Sequence, residues 1–157
     1  MEAESYANQE IANFINQNLL PVTINIKQTP APFHRFEVLW TPTVLFLDSA
    51  GVERFRLEGY LPRKEFAAQL GLGLGRIAFM HKNWVEAENH YTEVVDKSQD
   101  TLSAAEALYW SAVSHYKKTN DHTVLGRVAR ELQKYPYSMW AKKASVWLPA
   151  QARSKTA

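Results

Sequence analysis

Proton transfer or metal ligation near neutral pH would fall first to the five histidines, at positions 34, 81, 90, 115 and 122. They form no His-x-His or HExxH grouping, so no metal centre is expected and each is read as a solvated or hydrogen-bonded imidazole. Asp48, Glu53 and Glu58 fall on or beside one predicted hairpin, where carboxylates mark the wet face rather than an acid–base pair. The run Gly71-Leu72-Gly73-Leu74-Gly75 has the outline of a phosphate-binding loop, yet no strand leads into it within a βαβ unit and no Gly-Lys-Ser follows, so nucleotide binding is rejected. The sequence contains no cysteine, which removes thiolate nucleophiles, disulfides and cysteine-ligated metals together. No catalytic residue and no cofactor are expected, and the chain is read as not an enzyme.

The elements that carry these residues follow from periodicity. Residues 5–18 place Ile11, Phe14 and Ile15 at helical spacing among polar residues, predicting an amphipathic helix. Val22, Ile24 and Ile26 then alternate with Thr23 and Asn25, which predicts a short strand over 21–26. Two prolines in 28–32 mark a loop, and 33–36 has room for about one helical turn. Thr43 to Leu47 reads as a buried strand starting after Pro42, and Asp48-Ser49-Ala50-Gly51 turns it into a second strand through Val52, Phe55 and Leu57, an antiparallel hairpin. Gly59 breaks that strand, and Pro62 opens a helix containing Phe66 and Leu70. From Leu74 the texture is helical only, with segments predicted at 74–81, 84–96, 102–118 and 122–134 and a fifth beginning near Ser138.

Phe36, Val38 and Thr41-Pro42-Thr43 followed by an apolar strand resemble the later half of thioredoxin-fold proteins, and the likeness spans roughly the first seventy residues. In that family the proline matching Pro42 is cis and faces the active-site cysteines, and the backbone beside it receives extended peptides. The resemblance therefore implies a peptide-binding site at Trp40, Thr41, Pro42 and Thr43. The family's first helix normally starts with Cys-x-x-Cys after an apolar strand, and neither is present here. Thiol–disulfide exchange needs a thiolate, so this chain cannot perform it. Related domains often carry a methionine or leucine a few residues after the second cysteine, a place Met1 fits. Two readings stay open: a non-catalytic thioredoxin-like binding or scaffold module, or a fragment of a thiol-disulfide oxidoreductase of cell redox homeostasis whose Cys-x-x-Cys lies upstream of Met1.

Gly75, Ala87 and Tyr91 stand at the spacing where tetratricopeptide repeats have a small residue, an alanine and an aromatic, and aligning Ala112 with Gly75 gives a period of 37 residues ending at Pro136. The resemblance implies that Arg76, Phe79, Tyr109 and Tyr116 face an inner, partner-binding groove; core packing is the plainer account of these aromatics. The fold expected is α/β thioredoxin-like with an incomplete sheet over 1–70, an all-α repeat-like region over 71–149, and a flexible tail over 150–157. The family's missing central strand belongs between 21–26 and 43–47, so either those strands close up and pair, or an edge recruits a second copy as a symmetric dimer; the homodimer is the expectation.

Composition narrows the partners. Eighteen basic against sixteen acidic residues is too balanced for a phosphate-tracking surface, so a protein or peptide partner is expected and nucleic acid is not. Residues 1–70 carry 6 bases and 8 acids and residues 71–157 carry 12 and 8, a split read as a solvated helical face. No apolar run approaches bilayer length and the start lacks the basic and apolar stretches of a secretory signal, so no membrane is expected and the location is read as cytoplasmic.

Overall fold

The computed structural model describes residues 8–149. α1, Gln9–Asn18, starts where the Asn8 side chain accepts from the amides of Glu10 and Ile11, both at 3.1 Å, and it buries Ile11. Any helical extension over 5–7 lies outside the described residues. α2, Ala31–Arg35, occupies the place of the expected helical turn, with prolines at its first positions.

The expected strand over 21–26 is not formed. All six residues are exposed, and among the described residues 20–24 make no backbone–backbone hydrogen bond. The reason is that a strand, unlike a helix, satisfies its amides and carbonyls only on a neighbour, and among the described residues no strand pairs with this segment. The hairpin that does form pairs β1, Thr43–Leu47, antiparallel with β2, Glu53–Glu58, in register Val44 to Leu57 and Phe46 to Phe55, with an irregularity after Phe46. Asp48 builds its turn by accepting from the Ala50 and Val52 amides at 2.9 and 3.0 Å, while Gly51 takes the φ of +72° that the reversal requires. Phe46 and Phe55 meet edge to face at 5.7 Å, and Ile11, Phe46, Leu57, Phe66 and Leu70 close one core between α1, the hairpin and the helix that follows.

That following helix, α3, runs unbroken over Arg63–Met80, so the interruption expected after Leu70 is absent. Three glycines within one helix cost roughly 1 kcal/mol each against alanine, but here each permits a contact that a side chain would forbid. A Cβ on Gly71 would stand 2.4 Å from Val94, one on Gly75 2.5 Å from the Tyr91 ring, and one on Gly73 2.6 Å from the Phe46 ring. Gly71 and Gly75 share a face one turn apart, and Gly73 faces nearly the opposite way. α3 is therefore notched on one side for the helices and on the other for the hairpin.

The remaining helices are α4, Trp84–Lys97; α5, Ser103–Thr119; α6, Thr123–Glu131, which tightens into a 3₁₀ turn at Leu132–Lys134; and α7, Met139–Ala144, followed by a 3₁₀ turn at Ser145–Trp147. Short turns join them, so sequential helices lie side by side. Ala87 and Tyr91 of α4 are 0% and 1% exposed and pack with Leu72, Ala78, Val94 and Ala107 between α3 and α5. α5 is capped from a distance: Glu65 of α3 accepts from the amides of Leu102 and Ser103 at 2.9 and 3.0 Å and also binds the Ser103 hydroxyl. A third core, with Ala112, Val128, Leu132 and Leu148, joins α5, α6 and α7. The tail over 150–157 lies outside the described residues.

Candidate functional site

The loop entering β1 carries the four residues implied as a peptide site, and the structure brings them together on the surface. Trp40 is 70% exposed and its neighbour Leu39 is 85% exposed, a cost in apolar surface that folding left uncovered. Thr41 and Pro42 are exposed, Thr43 is half-buried, and the Thr41–Pro42 peptide bond is cis. This backbone is fixed from several directions. The Thr43 hydroxyl donates to the Trp40 carbonyl at 2.6 Å, and the Gly59 amide donates to the Pro42 carbonyl at 2.8 Å.

Arg56 of β2 holds the approach to the loop. Its Nη2 donates to the Phe36 carbonyl at 2.5 Å and its Nη1 reaches the Glu37 carbonyl at 3.5 Å, where Glu37 sits at a φ of +49°. Glu53, at 2.7 Å, and Glu58, at 3.2 Å, in turn clamp the guanidinium and raise its pKa against the opposing effect of burial. Trp40 is thus displayed by a braced segment. What the arrangement can do is present an exposed aromatic ring on a fixed loop to an extended chain.

On the helical side, Arg76, Phe79 and Tyr109 join one run of rings through Trp110. The Arg76 guanidinium lies 4.4 Å over the Trp110 ring and 3.9 Å from Glu106. Phe79 meets Trp84 and Trp110 edge to face at 4.8 and 5.1 Å. Tyr109 touches Trp110 at 5.5 Å, Trp140 at 5.1 Å and stacks on Trp147 at 4.6 Å, while Lys143 lies 4.1 Å over Trp140. Burial pushes the Glu106 carboxyl up, with Arg76 and Lys143 pulling the other way. Tyr116 stands apart: it packs against the core of α5, α6 and α7 and, among the described residues, makes no ring contact with this run.

Glu106, Trp110, Trp140, Lys143 and Trp147 escaped the sequence reading as a group. One signal was present, since Trp147 follows Trp110 by 37 residues, the same interval that separates Ala112 from Gly75. A separate cleft of about 450 Å³ opens between the end of α1, the end of β1 and α3, lined by Leu19, Leu20, Leu47 and Ile77 with Asp48, His81 and His90 among its polar residues. Asp48 is held there by Arg54 at 2.7 Å and His81 at 3.3 Å, and its carboxyl is kept well below the usual range, first by the Val52 amide and against burial. Among the described residues no group of three or more His, Cys, Asp or Glu is placed to hold a metal ion, and no helix is long and apolar enough to cross a membrane.

No curated protein and no solved structure matches the chain. Residues 1–73 match the family model of the thioredoxin-like domain, so the first part of this chain is thioredoxin-like, with a small two-stranded sheet, and a mostly helical region follows it.

Proposed function

We propose that the chain is a non-catalytic binding or scaffold module that takes a protein or peptide partner at Trp40, Thr41, Pro42 and Thr43, with the ring-lined surface of Arg76, Phe79 and Tyr109 as a second contact. The observation that carries this reading is an exposed tryptophan on a braced backbone: Trp40 is 70% exposed while its carbonyl, that of Pro42 and that of Phe36 are each held by a hydrogen bond. Rigid aromatic anchors of this kind contribute contact area with little loss of freedom on binding. The absence of cysteine makes thiol chemistry impossible for these residues, so an insulin-reduction assay gives no turnover above background.

The test is a titration with a reduced, alkylated unfolded protein, followed by amide chemical shifts. Shifts concentrated at 39–43 that vanish in Trp40→Ala support the site. Binding of undiminished strength in that variant refutes it.

A second reading rests on the family match over residues 1–73. In it, these residues belong to a longer thiol–disulfide oxidoreductase whose Cys-x-x-Cys precedes residue 1, and Trp40 to Thr43 faces that pair. Translating the reading frame upstream decides it: an apolar strand followed by Cys-x-x-Cys transfers the assignment to the oxidoreductase, and a stop codon without them removes it.

A further inference from the structure

Two incomplete pieces of β-structure occur in this molecule, and each is what the other lacks. β1 is paired on one edge only, since the sheet has the two strands β1 and β2, so among the described residues its second row of backbone donors and acceptors meets no strand. The segment 20–26 is extended in sequence character, with Val22, Ile24 and Ile26 alternating with Thr23 and Asn25, and it contains no charged residue. It is also uncovered: Leu20 is 92% exposed, Val22 75%, Ile24 41% and Ile26 49%. Both features are those that natural edge strands avoid by charge, proline or cover. The two meet at one point, because Leu20 and Leu47 line the same cleft.

We propose that this surface is an interface between two copies of the chain, in which 22–26 of each copy adds as a strand to the free edge of β1 in the other. Several observations favour a second copy over a foreign chain. The donor strand and the acceptor edge are encoded in the same 157 residues, so every molecule carries both halves. Exchange is reciprocal and closes after two subunits, because each copy's donor segment and each copy's β1 edge are then engaged. Neither half carries a charge that opposes approach: residues 43–47 are Thr-Val-Leu-Phe-Leu and residues 20–26 are Leu-Pro-Val-Thr-Ile-Asn-Ile. The added strand extends the two-stranded sheet, which on its own is marginal in water, to three strands.

The experiment is light scattering on the intact chain from 1 to 100 µM, paired with hydrogen exchange of the amides of 22–26 and repeated on Ile24→Lys. Ile24 is half exposed and outside every core cluster, so the lysine leaves the helical signal in circular dichroism unchanged. The proposal expects a mass near twice 18.0 kDa, slowed exchange of the Val22, Thr23 and Ile24 amides, and at least a tenfold weaker dimer in Ile24→Lys with those amides exchanging freely. A monomer throughout overturns it, whether the amides exchange freely, as they would for an edge awaiting another protein, or are protected by closure within one chain. A dimer that Ile24→Lys leaves at full strength also overturns it, because the contact then lies elsewhere.

Discussion

The hairpin side and the helical side of this molecule treat apolar surface in opposite ways. From α3 to α7 the helices cover large side chains along their lengths, with Tyr91, Leu72 and Leu132 all 1% exposed or less, and leave apolar groups such as Met80, Leu102 and Tyr137 uncovered only at their ends and turns. Before β1 the chain leaves Leu20, Val22, Leu39 and Trp40 between 70% and 92% exposed. The difference lies in where each element finds its hydrogen bonds. A helix satisfies its backbone internally and needs only a neighbour for one face, which sequential packing supplies. A strand needs a partner for its backbone as well, and β2 provides that for one edge alone.

The comparison is broken most strongly by emptying the helical side. Tyr91→Ala removes a fully buried ring between α3 and α5 and is expected to destabilise the protein by about 3 to 5 kcal/mol, a loss a little reduced because the buried Tyr91 hydroxyl has no hydrogen-bond partner among the described residues. Thermal unfolding followed at 222 nm measures it, and a shift of less than 1 kcal/mol would mean the two sides do not differ as described. Gly73→Ala acts on the junction instead, because the added methyl meets the Phe46 ring. A cost of about 1 to 3 kcal/mol is expected, with amide exchange of β1 accelerated more than that of α5. Equal acceleration in both would show a single cooperative unit.

Smaller effects sharpen the same contrast. Glu65→Ala strips the distant cap from Leu102 and Ser103 and should cost about 1 kcal/mol, with exchange rising at the start of α5. Glu88 offers a pH test confined to the helices. Burial raises its pKa, but hydrogen bonds from Lys118 and His115 outweigh this and lower it. A lowered carboxylate pKa contributes stability that is present above its unfolded value, about 4.3, and is lost as pH falls through the lowered folded value. Glu88→Gln should therefore flatten stability against pH below about 4.3, by a few tenths of a kcal/mol for a pair this accessible. An unchanged profile would show that the α4–α5 pair contributes nothing.

How much could be read beforehand follows from the same physics. The hairpin was legible because its determinants are local: Asp48 and Gly51 make the turn, and alternation on either side fixes the pairing. The helices from Trp84 onward were legible to within a residue or two for the same reason, except that 122–134 tightens to 3₁₀ at Leu132. The strand over 21–26 was misread because alternation reports a preference for pairing and says nothing of whether a partner is present. The glycines of α3 suggested a break because their purpose lies 16 to 27 residues away along the chain, at Phe46, Tyr91 and Val94. Trp40 was visible through its neighbours in sequence. The bracing by Arg56 was not, since the Phe36 carbonyl it holds lies twenty residues earlier.

The notches on α3 have a consequence for how this protein tolerates change in length. One residue added within an α-helix turns everything beyond it by about 100° and advances it by about 1.5 Å. An insertion between Gly71 and Gly73 would swing one notch away from Phe46 or the other away from Tyr91, and no adjustment of a single neighbour restores both. The loops at 81–83 and 98–102 can lengthen at small entropic cost. The spacing from Gly71 to Gly75 cannot, so the interval of four residues acts as a gauge that fixes the hairpin and the helical stack in one register.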